Sequence, residues 1–170
     1  GGHEPHRAYN EGEGKRAGKD PANVEVPSYL PDNEIVKNDL LDYAYEIEWF
    51  DRHLGKMLEK LEEKGELENT LIVVTSDNGM PFPRIKGQMY EFDFKMPMAL
   101  CWKNKTEGDR VVKDLVNFID LAPTFLEAAG MEIPSQFMGK SLMNIIESDK
   151  SGQIDDSRNR VYLGRERHDL

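Results

Sequence analysis

The sequence predicts a layered α/β fold, and three features carry that prediction. The first is a long run of apolar residues at helical spacing. The second is a short, wholly apolar β-branched run that ends in Ser-Asp-Asn-Gly. The third is a later amphipathic helix opened by an aspartate and closed by a glycine. Helix, strand, loop, strand and helix in that order favour helices packed on a sheet.

The helical run is Leu40, Ala44, Ile47, Phe50, Leu54, Met57, Leu58 and Leu61, with gaps of mostly three and four. Asp32 is the expected N-cap, and Lys64-Gly65 the expected stop, with a cation in the last turn and glycine beyond it. Thr70 to Thr75 follows, an unalternating run that predicts a strand covered on both faces, as in a parallel sheet. A second strand is expected from Met98 to Trp102. A helix is expected from Asp120 to Ala129, with Asp120 as cap, Pro123 in its first turn and Gly130 as stop. Gly139 to Ser148 suits another short helix, and Arg160 to Gly164 a closing strand. The first thirty residues, rich in Gly, Pro and charge, show neither period.

Composition narrows the function classes. The chain has 170 residues and a net charge of −10, which argues against nonspecific nucleic-acid binding, since that needs a Lys/Arg footprint. An anionic ligand is still compatible, because a small site can be locally positive on an acidic protein. No apolar run approaches the ~20 residues of a membrane span. The sequence opens on Gly1-Gly2-His3 without Met and reads as starting inside a longer protein. Cys101, in the apolar run Met98 to Trp102, reads as a buried structural thiol. Asn104-Lys105-Thr106 matches a glycosylation acceptor, a pattern common by chance.

Four places could carry chemistry. Asp77 and Asn78 follow the first strand, where ligands gather in open α/β sheets. Their oxygens are hard donors suited to Ca²⁺ or Mg²⁺, although Asp-Asn-Gly is also an ordinary turn and two donors fall short of a full calcium shell. His3-Glu4-Pro5-His6-Arg7 groups titratable side chains around a proline, in a metal or anion site or in an exposed loop. Lys86 lies in the loop Pro81-Phe82-Pro83-Arg84-Ile85-Lys86-Gly87 and meets an anion only if that loop folds back over the strand end. Arg165-Glu166-Arg167-His168 either returns a basic group to the same edge or is a solvated tail.

Taken in order, these pieces resemble the sulfatase family of the alkaline phosphatase superfamily. Its late signature is a long helix, Gly-x-Leu-x-Asn-Thr, then an apolar strand ending in Thr-Ser-Asp-Asn-Gly. This chain has Gly65-Glu66-Leu67-Glu68-Asn69-Thr70 and Thr75-Ser76-Asp77-Asn78-Gly79. The family continues with a Lys, an aromatic-Glu pair and a Pro, matched by Lys86, Tyr90-Glu91 and Pro97. Asp120-Leu121-Ala122-Pro123-Thr124, Gly130 and Gly139-Lys140-Ser141-Leu142 complete a match from about residue 27 to 146. Pro5-His6-Arg7, Val26-Pro27 with Leu30-Pro31-Asp32, and Asn78 to Pro83 look most like the heparan N-sulfatase (sulfamidase) branch.

The resemblance implies an α/β/α sandwich of the sulfatase type, present in part. Residues 1–148 would be the C-terminal portion of the catalytic domain, and 149–170 the start of a C-terminal subdomain or a closing strand. It implies hydrolysis of sulfated glycosaminoglycan sugars, with Asp77 and Asn78 as Ca²⁺ ligands and Mg²⁺ the poorer fit. Lys86 would hold the sulfate, His6 would contact the sulfate or the leaving group, and Glu4 and His168 would line the substrate pocket. Sulfatases use a formylglycine nucleophile, made from Cys or Ser, that forms a covalent sulfate ester. Its signature, Cys/Ser-x-Pro/Ala-x-Arg, is absent here and is expected upstream of Gly1, so this chain alone is expected to be inactive and marginal as a fold. The expected partner is a sulfated saccharide, with no nucleic acid or membrane and room for a homo-oligomer. The expected setting is extracytoplasmic: periplasmic, secreted or lysosomal. A phosphodiesterase or phosphonate hydrolase of the same superfamily, an O-sulfatase, and a noncatalytic sulfatase-derived domain are the alternatives.

Overall fold

A computed structural model describes residues 5, 6 and 10–164. The chain divides into two units, Gly1–Lys64 with Asn78–Lys95, and Gly65–Asp77 with Met96–Leu170.

The first unit is built on a short helix α1 (Glu13–Arg16), a long helix α2 (Glu34–Glu63) and a single turn α3 (Glu91–Phe94). The cap of α2 is Asn33, not the expected Asp32. Asn33 is extended and its side chain accepts from Val36 N at 3.0 Å, while Asp32 pairs with Lys37 at 3.0 Å. The expected stop is where the structure has it, with Lys64 as C-cap and Gly65 at φ 71° beyond it. Of the apolar stripe, Leu40, Ala44, Phe50, Leu54, Leu58 and Leu61 are half-buried, and Ile47 and Met57 are exposed.

Residues 10–30 are not the structureless stretch that the sequence suggests. Buried Asp42 of α2 accepts from Gly12 N at 2.7 Å and Gly14 N at 2.8 Å, which fastens α1 to the long helix. Gly14 is required for that approach, since a Cβ there would stand 2.7 Å from Leu41 O. Asp20 caps a further turn, Pro21–Asn23, by accepting from Ala22 N. A four-residue helix is too short to display a 3.6-residue period, so hydrophobic patterning could not reveal it.

In the second unit, strand β1 (Ile72–Thr75) pairs with β2 (Met98–Cys101) in antiparallel register, Ile72 opposite Cys101 and Thr75 opposite Met98. The parallel pairing expected from the unalternating β1 is therefore corrected for these two strands. Burial in β2 alternates, with Met98 and Leu100 half-buried and Ala99 and Cys101 exposed. Antiparallel pairs tolerate one open face. That alternation also corrects Cys101, whose thiol is exposed. Trp102, directly after β2, instead enters a core with Leu142, Met143, Ile145 and Ile146.

Helices α4 (Leu121–Ala128) and α5 (Met143–Ile146) complete this unit. Asp120 does precede α4, but its carboxylate does not cap that helix. It accepts from Asn117 N at 3.0 Å and Lys140 N at 2.8 Å, and it pairs with Arg158. Fully buried Thr124 donates to Asp120 O and accepts from Leu142 N at 2.8 Å. The Asp-Leu-x-Pro-Thr and Gly-x-Ser-Leu segments are thus two sides of one buried junction. Gly139 completes it, since a Cβ there would lie 2.0 Å from Ile119 O.

Residues 149–160 return along 110–115. Asp114 accepts from Ile154 N and Asp155 N, Leu115 N donates to Arg158 O, and a parallel bridge joins Val112 to Gly152. The expected strand at Arg160 to Gly164 is irregular chain. Asn117 Nδ2 reaches Tyr162 O at 3.4 Å, a side-chain bond in place of a backbone ladder.

Candidate functional site

The candidate site begins where β1 ends. Thr75 Oγ1 donates to Pro97 O at 2.8 Å, which ties the end of β1 to the approach of β2. Asp77 follows with its carboxylate exposed, and Asn78 is half-buried. The Asn78 amide donates from Nδ2 to Gly79 O at 2.9 Å, which puts its Oδ1 on the opposite side of the group.

Gly79 is buried, and its role differs from the turn-forming one expected of a glycine after Asp-Asn. A Cβ at this position would stand 2.2 Å from Phe92 O and 2.6 Å from Ile85 Cγ2. The residue is needed for close packing, because α3 and the 80–90 loop both press on its backbone. Asp93 holds this arrangement together. Its main-chain carbonyl accepts from Gly79 N at 3.1 Å, and its carboxylate accepts from Gln88 N at 3.0 Å.

The loop that carries Lys86 therefore packs on Gly79 within the first unit. Phe82 and Ile85 anchor it, at 6% and 1% exposure. Phe82 meets the Tyr43 ring edge-on at 5.7 Å, and burial pushes the Tyr43 phenol pKa upward. Ile85 N donates to Phe82 O and Gln88 N to Ile85 O, closing two successive turns. Lys86 comes immediately after the Ile85 anchor and is exposed, with Gly87 at φ 77° beyond it. Arg84, on the other side of the anchor, takes φ 66°. The left-handed region costs a non-glycine residue roughly 1–2 kcal/mol, which the buried anchors on either side offset.

His6 is exposed and lies in the same unit as Lys86. Glu4 and His168 lie outside the described residues. The local arrangement thus sets Lys86 beside the Ile85 anchor that packs on Gly79, next to Asn78.

As metal donors, Asp77 and Asn78 supply a carboxylate and an amide oxygen at a strand end, a hard pair that fits part of a calcium shell. Among the described residues no group of three or more His, Cys, Asp or Glu is placed to hold a metal. The two donors fit as a partial set, and magnesium, which prefers a stricter octahedron, fits them less well.

Sequence reasoning missed Asp93 as the residue that holds this loop. Asp93 sits in the acidic-aromatic run Glu91-Phe92-Asp93-Phe94, where nothing local marks it as a loop anchor.

A sulfatase family model matches residues 1–131. The chain belongs to the sulfatase family. It is 37% identical over 113 residues to an ulvan-active sulfatase of Formosa agariphila, covering 66% of this chain and 19% of that protein. It is 28% identical over 140 residues to the human N-sulphoglucosamine sulphohydrolase, covering 76% of this chain and 28% of the relative. Among solved structures, a protein in complex with its substrate D-glucosamine-2-N,6-O-disulfate superposes with a TM-score of 0.64 at 31% identity, covering 71% of this chain and 25% of that one. The chain thus spans between about a fifth and somewhat over a quarter of the length of these sulfatase relatives. The α/β architecture is that of sulfatases in the alkaline phosphatase superfamily.

Proposed function

We propose that this chain is part of a sulfatase that removes sulfate from sulfated glycosaminoglycan sugars, with the N-sulfo group of heparan N-sulfoglucosamine as the preferred target. The observation that carries the reading is the loop pinned at Gly79, Ile85 and Asp93, which sets a cation, Lys86, beside the Ile85 anchor that packs on Gly79, next to Asn78. Family membership supports the reaction class, and the N-sulfo relative supports the bond.

In this reading Lys86 binds the sulfate and neutralises part of its charge, which otherwise repels a nucleophile. Asp77 and Asn78 hold Ca²⁺, which supplies further positive charge at the sulfate oxygens. His6 contacts the leaving group and gives a proton to its nitrogen, since an amine leaves poorly as an anion. Glu4 and His168 contact the sugar. The formylglycine nucleophile is provided outside this chain. The setting is extracytoplasmic, where sulfated glycans occur; among the described residues no helix is long and apolar enough to cross a membrane.

The test is sulfate release from N-sulfoglucosamine and from glucosamine 6-O-sulfate by the intact protein carrying formylglycine, with calcium and after chelation. The expected result is calcium-dependent release from the N-sulfo sugar, falling at least ~100-fold in Lys86→Ala and Asp77→Ala, the size of losing one charged transition-state contact. Release from the O-sulfo sugar alone would keep the reaction class and overturn the bond. No release from either, with formylglycine confirmed by mass spectrometry, would overturn the reading.

A further inference from the structure

Among the described residues of the first unit, Lys15, Lys56 and Lys64 on helices or at a helix end, and Arg84 and Lys86 on a loop, have no side-chain partner, while four other cations are held in ion pairs. Lys19 pairs with Glu48, Lys37 with Asp32, Lys60 with Glu63 and Lys95 with Glu91. Arg84 and Lys86 have no hydrogen bond, ion pair or ring contact among the described residues, although acidic residues outnumber Lys and Arg by 32 to 22. Both are exposed, on either side of the deeply buried Ile85. The anchor fixes where the two backbones lie, with Arg84 at φ 66°. Two cations two residues apart are thus left unneutralised on one pinned loop.

We propose that Arg84 is a specificity-determining residue that binds a second anionic group on the substrate, beside the sulfate bound by Lys86. The proposal rests on the sulfatase reading above and deepens it, making the preferred substrate doubly charged. Two residues span at most ~7 Å of chain, so the pair matches two anionic substituents on one sugar or across one glycosidic link. The planar guanidinium suits a sulfate or a carboxylate through two parallel donors, whereas an ammonium is a point charge. The second group is therefore a sulfate on the same sugar or a uronate carboxylate on the next.

The intact protein would be assayed on three probes: N-sulfoglucosamine, glucosamine 2-N,6-O-disulfate, and N-sulfoglucosamine linked to an unsulfated uronate. Binding of each would be measured in parallel by calorimetry. The wild type is expected to favour one or both doubly charged probes at least tenfold in kcat/KM, chiefly through KM. Arg84→Gln should erase that margin and leave the singly charged sugar within twofold, while Arg84→Lys should restore part of it. Whichever doubly charged probe loses its advantage identifies the second group. An equal fall on all three probes, or no change on any, would overturn the proposal. If the wild type releases no sulfate from any probe, the sulfatase reading fails, and calorimetry then decides Arg84 separately. Tighter binding of a doubly charged probe, lost in Arg84→Gln, would uphold the second-anion site; no such difference would sink it.

Discussion

Arg158 and Asp120 meet across 2.9 Å, Nη1 to Oδ2, with side-chain exposures of only 4% and 9%. The same guanidinium donates to Lys140 O at 2.9 Å and Ser141 O at 2.8 Å, and its Nε faces Asp155 at 3.6 Å. One side chain thus joins the turn before α4, the Gly139–Leu142 segment and the 155–158 turn. Nearly every polar atom of the cluster has a partner, the condition under which a buried pair holds a structure together.

Arg158→Met should be costly in the intact protein, because it leaves the Asp120 charge buried and two main-chain carbonyls without their donor. A loss of about 3–5 kcal/mol is expected from breaking such a pair on one side. Urea unfolding followed by tryptophan fluorescence would report it through Trp102, which packs in the same unit. A loss below ~1 kcal/mol would mean that the cluster does not organise the unit.

Two glycine substitutions should act in opposite directions. Gly79→Ala drives a methyl into Phe92 O and Asp93 Cα, backbone atoms that cannot swing aside, and should cost about 1–3 kcal/mol. Because Gly79 packs against Ile85, next to Lys86, sulfate release should fall as well. Gly55→Ala, inside α2 with nothing within 4 Å of the new methyl, should stabilise by up to ~1 kcal/mol through helix propensity. Thermal melts of both variants would check the pair.

Asp42→Ala removes the carboxylate that fastens Gly12 and Gly14 to α2. Hydrogen bonds to a charged acceptor contribute about 1.5–3 kcal/mol each, so α1 should detach well before the rest unfolds. Limited trypsin digestion read by mass spectrometry should show faster cleavage after Lys15 and Arg16. Unchanged cleavage would contradict the docking.

The Ser157 hydroxyl and main-chain N–H, donating to the Asp155 carboxylate, hold its pKa below the ordinary 3.8, with Arg158 adding to the effect. In the window between the lowered folded value and 3.8, the unfolded chain binds more protons, so stability rises with pH there. The contribution is complete above that window and is lost as pH falls through the folded value. Asp155→Asn should therefore lower Tm at neutral pH and flatten the acid limb of the Tm-versus-pH curve. An acid limb identical to wild type would show that this carboxylate does not participate.

Much of this protein was determined locally. The period of α2, its stop at Lys64-Gly65, the apolar β1 and β2, α4 with Gly130 beyond it, and the ordered motifs of the sulfatase family all depend on residues close in sequence. Solvation and hydrogen bonding act on such windows directly, so pattern is enough to read them.

Tertiary contacts decided the rest. Whether β1 and β2 run parallel or antiparallel depends on how the intervening loop returns, which is why Cys101 lies on an open face instead of a covered one. Asp120 reads as a helix cap, but a guanidinium 38 residues away claims its carboxylate. α1 exists because Asp42, 28 residues beyond Gly14, supplies the acceptor its glycines need. Lys86 becomes a candidate ligand only because Ile85 and Asp93 bring its loop back to Gly79. For the strand pair, Asp120 and α1 the deciding partner is remote in sequence, and for Lys86 it is a packing contact that local pattern does not show. Burial makes an unpaired charge or a misplaced methyl cost more than any local preference supplies, so only the folded chain selects the outcome.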